Sequence, residues 1–161
     1  MENRLPVRKN LRQREFNYST PGAYFITFCT HGRRNTLSRI VGTIPESTES
    51  RLTACGVIVD AVIQSIPEHL NVTIDQYVIM PNHVHLIIAI SSKENGRMIS
   101  APTLSRIIGQ MKRFASKKCE KSIWQKSFYD EIIRNQAAYD EISKYIFENP
   151  MKWEEDELFC K

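Results

Sequence analysis

The sequence predicts an α+β fold, a split βαβ sandwich in which an antiparallel sheet carries helices on one face, followed by a further C-terminal helix. Three observations predict it. The 161 residues, 42% of them hydrophobic, suffice for one domain with its own core. The apolar period switches between about two and about 3.6 residues in the order strand, helix, strand, strand, helix, strand, helix. Only Met80-Pro81-Asn82 separates the two central strands, which makes them an antiparallel hairpin.

The elements follow in order. Residues 1–20 are polar and hold Arg8, Lys9, Arg12 and Arg14, which predicts an extended basic arm. Pro21-Gly22 marks a turn. Ala23–Thr30, AYFITFCT, is aromatic and β-branched and reads as a strand. His31–Ser50 reads as a loop or hairpin that can add a strand. Ser50–Leu70 is expected to be helical, because Leu52, Cys55, Val59, Val62, Ile63 and Ile66 form one apolar stripe, and Pro67 is expected to close it. In Val72–Met80, Val72, Ile74, Gln76 and Val78 alternate with Thr73, Asp75 and Tyr77, the pattern of a strand. His83–Ile90 is the next strand, and SSKENGRMISAPT is a polar loop. Thr103–Lys118 is a helix that Thr103 or Ser105 caps, with Leu104, Ile107, Ile108, Met111 and Phe114 inward. Ile123–Arg134 is a loop leading into a short strand. Ala137–Asn149 is the last helix, with Ile142, Tyr145 and Ile146 on one side and Pro150 ending it. This is the order of a ferredoxin-like sandwich. The expected division is an arm at 1–20, a domain at 21–153 and an acidic tail at 154–161.

The net charge of +4 is modest, and its distribution says more. Basic residues gather in Arg8–Arg14, Arg33-Arg34, Lys112-Arg113 and Lys117-Lys118. One such cluster is ordinarily solvated surface. Several in one small domain make a polyanion-binding face an equally good reading. The four cysteines include no CxxC pair, which predicts reduced thiols rather than a disulfide scaffold or zinc knuckle. No apolar run is long enough to span a bilayer, and the charged start is unlike a signal peptide, so the expected location is cytoplasmic.

Two of the four histidines stand one residue apart in YVIMPNHVHLIIAI. Side chains alternate faces along a strand, so His83 and His85 point the same way and Val84 points opposite. Two imidazoles so placed suit one divalent ion. The plainer reading has both facing water on an open sheet. On the last helix, Tyr145 and Asn149 are one turn apart and share a face. Asn149 offers an amide oxygen as a third ligand. Tyr145 offers a phenol, a weak nucleophile at its usual pKa of about 10, whose attack on a phosphate a divalent ion would assist. Tyr145 also reads as a half-buried core residue, and Tyr139 and Tyr129 are rivals on spacing.

YVIMPNHVHLII at 77–88, followed by IWQKSFYDEIIRNQAAYDEISKYIFENPMKW at 123–153, resembles the REP-associated tyrosine transposases. These are bacterial relatives of the single-tyrosine, IS200-like transposases in the HUH nuclease superfamily, whose name means His, a hydrophobic residue, His. PGAYFITFCTHGRRN is similar to the family's first strand and basic turn, and the resemblance covers roughly residues 12–153. It implies the ferredoxin-like fold, and Mg²⁺ or Mn²⁺ held by His83, His85 and Asn149. It also implies a catalytic Tyr145, and single-stranded or hairpin DNA as substrate. Arg12, Arg14, Arg33, Arg34, Lys112 and Arg113 are candidate phosphate contacts. Tyr18, Trp124 and Phe128 are candidate stacking platforms, although the last two are more ordinarily core. Gln125 and Arg134 recur in the family motif, the first as site support and the second as a phosphate contact. Residues 40–50 carry no motif that the resemblance explains.

The expected function is a metal-dependent single-stranded DNA endonuclease and strand-transferase working through a 5′-phosphotyrosyl intermediate. The resemblance allows a homodimer that shares its last helix, or a monomer. One rival is a domesticated module of the same fold that binds nucleic acid without cutting. Another is a structural metal-binding protein.

Overall fold

The computed structural model describes residues 22–44, 47–91, 93–94, 97–98 and 102–160. The expected basic arm, with Arg12, Arg14 and Tyr18, lies outside them. The principal sheet is formed by β1 (Gly22–Cys29), β4 (Val72–Ile79), β5 (His83–Ile90) and β8 (Tyr129–Ile133). Its order is β4-β5-β1-β8 with every neighbouring pair antiparallel, the split βαβ topology expected. The helices are α1 (Ala54–His69), α2 (Leu104–Lys118) and α3 (Gln136–Glu148), and a 3-10 segment, Asn149–Glu155, continues from α3.

Alternation along the strands builds two unequal layers. Tyr24, Ile26 and Phe28 of β1 and Val84, Leu86, Ile88 and Ile90 of β5 join α1 and α2 in the main core. The opposite face carries a small cluster of Phe25, Ile87 and Ile146, flanked by Val78, Ile133, Tyr139 and Ile142. So α1 and α2 cover one face and α3 lies on the other. Ile146 is the one buried residue of α3 among those described. A single buried Ile supplies only ~1.5–3 kcal/mol, so polar ties help to seat the helix. Tyr139 donates to the Asp75 carboxylate, Ser143 Oγ donates to Gln76 Oε1 at 2.5 Å, and Gln76 Nε2 donates to the Ser143 carbonyl at 3.1 Å.

The expected loop or hairpin after the first strand is a hairpin, β2 (Ser38–Val41) paired with β3 (Glu49–Leu52). It claims Ser50 and Leu52, so α1 starts at Ala54 rather than Ser50. Thr53 caps α1: its Oγ1 accepts from the Gly56 N–H at 3.1 Å while its hydroxyl faces the Thr36 and Leu37 carbonyls at 2.7 and 3.0 Å. Pro67 does not close the helix, which runs to His69. A proline costs a helix one N–H bond and crowds the carbonyl four residues back. In the last turn few bonds remain to lose, and Leu70 N–H still reaches the Ile66 carbonyl at 3.0 Å. Thr103, not Ser105, caps α2, accepting from the Arg106 N–H. The polar loop before α2 contains a short ribbon, β6 (Lys93–Glu94) with β7 (Arg97–Met98).

Candidate active site

His83 and His85 enter the face of β5 that α3 covers. Both are buried, with 0% and 3% of their surface exposed, so the plainer reading of two histidines on an open, wet sheet does not hold. Their ring centroids are 4.4 Å apart. Each Nδ1 has a partner. Asn82 Oδ1 lies 2.7 Å from His83 Nδ1, and Thr27 Oγ1, directly across β1, lies 2.6 Å from His85 Nδ1. Asn82 Oδ1 only accepts, so it fixes the Nδ1–H tautomer of His83 and leaves Nε2 as a bare lone pair. That Nε2 has no hydrogen-bond partner among the described residues.

Burial chiefly keeps both imidazoles neutral. It lowers the His83 pKa to about 4, against the opposing pull of Asp156, and drops His85 well below its usual value, helped by His83 itself. Neutral imidazole is the form that ligates metals.

Asn149, at the end of α3, is buried with 2% exposed. Its Nδ2 donates to Asp156 Oδ2 at 2.8 Å, which turns Oδ1 away, and that oxygen meets no donor in hydrogen-bond geometry among the described residues. The amide still lies close enough to favour the charged form of His83. Asp156 Oδ2 is 4.0 Å from His83 Nε2, and the Asp156 side chain is 3% exposed. Ligand atoms of His83, His85 and Asp156 lie within 4.8 Å of one another. A buried carboxylate beside two neutral rings is costly unless a cation compensates it. Two unused ligand atoms and that carboxylate converge, so the donor set suits a divalent ion, with imidazole nitrogens and hard oxygens combined.

Tyr145 projects from α3 to the same spot, half exposed. Its hydroxyl is 3.4 Å from His85 Nε2, at the long end of hydrogen-bond distance, and its ring meets those of His85 and Phe25 edge-on. Burial and then the Asp156 charge push its pKa up to about 12, while Asn149 opposes them. Its rivals are engaged elsewhere: Tyr139 donates to Asp75, and Tyr129, across β1 from His85, donates to Glu131 at 3.1 Å.

Other expected residues are scattered. Arg33 is exposed beside the site: its carbonyl accepts from Asn82 Nδ2, and its charge helps lower the His83 pKa. Arg34 follows it, also exposed. Lys112 and Arg113 belong to α2, on the far face of the sheet. The Lys112 ammonium donates to the Gln125 and Ser127 carbonyls at 2.8 Å, so it ties that loop down. Arg113 is exposed, with its guanidinium over Phe114. Gln125 takes part through its backbone, donating to the Cys29 carbonyl at 3.0 Å as well as accepting from Lys112. Arg134 is exposed just after β8. Trp124 and Phe128, considered as stacking platforms, are buried in the main core.

Sequence reasoning missed Asp156, Thr27 and Asn82. Asp156 sat in the run read as an acidic tail, and no spacing rule ties it to the histidines. The 3-10 segment after α3 folds it back, with Trp153 buried against the His83 ring at 5.9 Å. The signal for Asn82 was its place next to His83. The signal for Thr27 was a threonine set between Ile26 and Phe28 in the middle of a largely apolar strand.

The model of the family described as "Transposase IS200 like" matches residues 22–149. An uncharacterized protein of Haemophilus influenzae is 29% identical over 172 residues, covering 94% of this chain and 93% of its own length. A solved structure of a REP-associated tyrosine transposase bound to a REP hairpin superposes with a TM-score of 0.66 at 23% identity, covering 88% of this chain and 74% of that one. A crystal structure of a Deinococcus radiodurans protein assigned as a transposase gives a TM-score of 0.50 at 12% identity, covering 84% and 95%. At these identities the two structures bear on the fold alone.

Proposed function

The chain belongs to the IS200-like transposase family, and from that premise we propose that it is a metal-dependent single-stranded DNA endonuclease and strand-transferase acting on hairpin DNA. The observation that carries the proposal is the placing of the Tyr145 hydroxyl 3.4 Å from His85 Nε2, beside the unpartnered Nε2 of His83. A phenol, two neutral imidazoles, an amide and a carboxylate meet at one spot, and two of their buried atoms, His83 Nε2 and Asn149 Oδ1, have no hydrogen-bond partner among the described residues. The hairpin in the solved relative supports hairpin DNA as the substrate class.

Mg²⁺ or Mn²⁺ would be held by His83 and His85 with Asn149 or Asp156, and it would supply Lewis-acid polarisation of the scissile phosphate. The chain's own groups do the rest. Thr27 and Asn82 hold the two rings in place. Phe25 stacks on His85 and fixes its plane. Tyr145 is the nucleophile: its oxygen forms a bond to phosphorus, the bond to the 3′ oxygen breaks, and a 5′-phosphotyrosyl link and a free 3′ hydroxyl result. The phenol gives up one proton and the 3′ oxygen gains one. Within the single chain Tyr145 stands beside its own histidines. The chain divides into an arm at 1–20, a catalytic domain at 21–153 and a tail at 154–161 whose Asp156 works with the site.

A denaturing gel with labelled single-stranded hairpin DNA, with Mn²⁺ and with EDTA, tests this. A metal-dependent covalent protein–DNA band is expected, absent in Tyr145→Phe, which still binds DNA. Full cleavage by Tyr145→Phe refutes the assignment of the nucleophile. Binding with no covalent product replaces it with the reading of a module that binds without cutting.

A further inference from the structure

The β2–β3 ribbon, inserted between the first strand and the first helix, has no part in the site as described. Its pairing places Arg39 directly opposite Arg51. Directly opposite residues on antiparallel strands share a face, so the two arginine side chains leave the ribbon on the same side, and both residues are exposed. Like charges so placed cost stability. Glu49 relieves this little: its ion pair with Arg51 at 3.2 Å has side chains 70% and 63% exposed, and such pairs contribute little. Arg39 makes no ion pair among the described residues.

The pair lies on the face of the ribbon opposite the one that anchors it. On that anchoring face Ser38 is buried, Ser50 donates to the Ile79 carbonyl, and Leu52 packs on the main core. The outward face borders a hollow of about 370 Å³ lined by Arg39, Val41, Arg51, Leu52 and Thr53. The ribbon and the residues flanking it come near the site at two points. Leu37 N–H donates to the Pro81 carbonyl at 3.0 Å, two residues before His83. Ile40 and Thr48 line a second hollow with Pro150 and Trp153, and the Trp153 ring lies 5.9 Å from that of His83.

We propose that Arg39 and Arg51 form a phosphate clamp, binding one backbone phosphate of the DNA that the Tyr145–histidine site acts on. Two guanidinium forks match the oxygens of a phosphodiester, and the anion removes the repulsion between them. This rests on the DNA reading of the site.

The test is binding of a hairpin DNA with a single-stranded flank, followed by fluorescence anisotropy over a series of salt concentrations, for wild type, R39Q, R51Q and the double variant. Each lost phosphate contact lowers the slope of log affinity against log salt by ~0.7–0.9. Because both arginines hold one phosphate, the double variant is expected to lose about one such unit, not two. Its melting temperature without DNA is expected to stay level or rise, since repulsion is gone. R39K/R51K keeps both charges and is expected to keep the slope while binding more weakly. An unchanged slope in the double Gln variant, beside DNA-binding wild type, overturns the clamp and leaves the proposed function standing. A slope lost equally in the Lys pair also overturns it, because charge is then not the cause. Wild type that neither binds nor cleaves hairpin DNA overturns both.

Discussion

Replacing Thr27 with Val perturbs one hydrogen bond and almost nothing else. Valine has the shape of threonine and suits a strand, so β1 and its register with β5 are expected to persist. What disappears is the 2.6 Å contact between Oγ1 and His85 Nδ1, in a place where Thr27 is 8% and His85 3% exposed. A buried polar group left unpaired costs ~1–3 kcal/mol, and the added methyl returns up to ~0.8 kcal/mol. The net loss is ~0.2–2 kcal/mol in metal-free protein, a fall in Tm of up to ~8 °C for a chain of this size. Trp124 and Trp153 are both buried, so urea or thermal unfolding is readable in tryptophan fluorescence. The second expected effect is on metal. A residue orienting a ligating histidine is worth ~10–100-fold in affinity, so Mn²⁺ titration of Thr27→Val should show weaker binding by that factor. Unchanged stability together with unchanged Mn²⁺ affinity refutes the reasoning, because then Thr27 neither pays the cost of His85 burial nor orients the ring.

Acid should destabilise the metal-free protein. His83 is held neutral, its pKa lowered from 6.5 to about 4, so the unfolded chain takes up the proton first as pH falls. This contribution is fully present above about pH 6.5 and is lost towards about pH 4, by up to about 3 kcal/mol; a urea midpoint that does not fall between about pH 7 and about pH 4.5 contradicts it. Gly56→Ala should destabilise by ~1–3 kcal/mol or more, because a Cβ there lies 1.9 Å from the Leu37 carbonyl oxygen, and a wild-type urea midpoint would show that the ribbon base yields freely. Cys55 on α1 and Cys119, the residue that ends α2, present sulfurs 3.2 Å apart, with the Cys119 thiol pushed up to about 11 by burial and then by Cys55. Diamide, taking one hydrogen from each thiol, should join them slowly with a mass loss of about 2 Da, and persistence of both free thiols under prolonged oxidation would rule this out.

By itself the sequence determined the strand and helix order, the central hairpin, the common direction of His83 and His85, and the shared face of Tyr145 and Asn149. Each is a local property, fixed by a period of about two or about 3.6 residues and read within one element. The family was legible for the same reason, in two contiguous stretches. Boundaries were less so: Ser50 and Leu52 fit a helical stripe, and only pairing with β2 made them strand. The tertiary structure alone decided that His85 meets Thr27, 58 positions away, and that Asp156 returns to His83. It also decided that Lys112 serves a loop rather than open solvent, and that Arg39 meets Arg51. No period links such residues, because what joins them is the superposition of strands and the path of a turn. The same holds for protonation: an HxH motif has no environment, and the neutral state of these histidines comes from the layers that close over them.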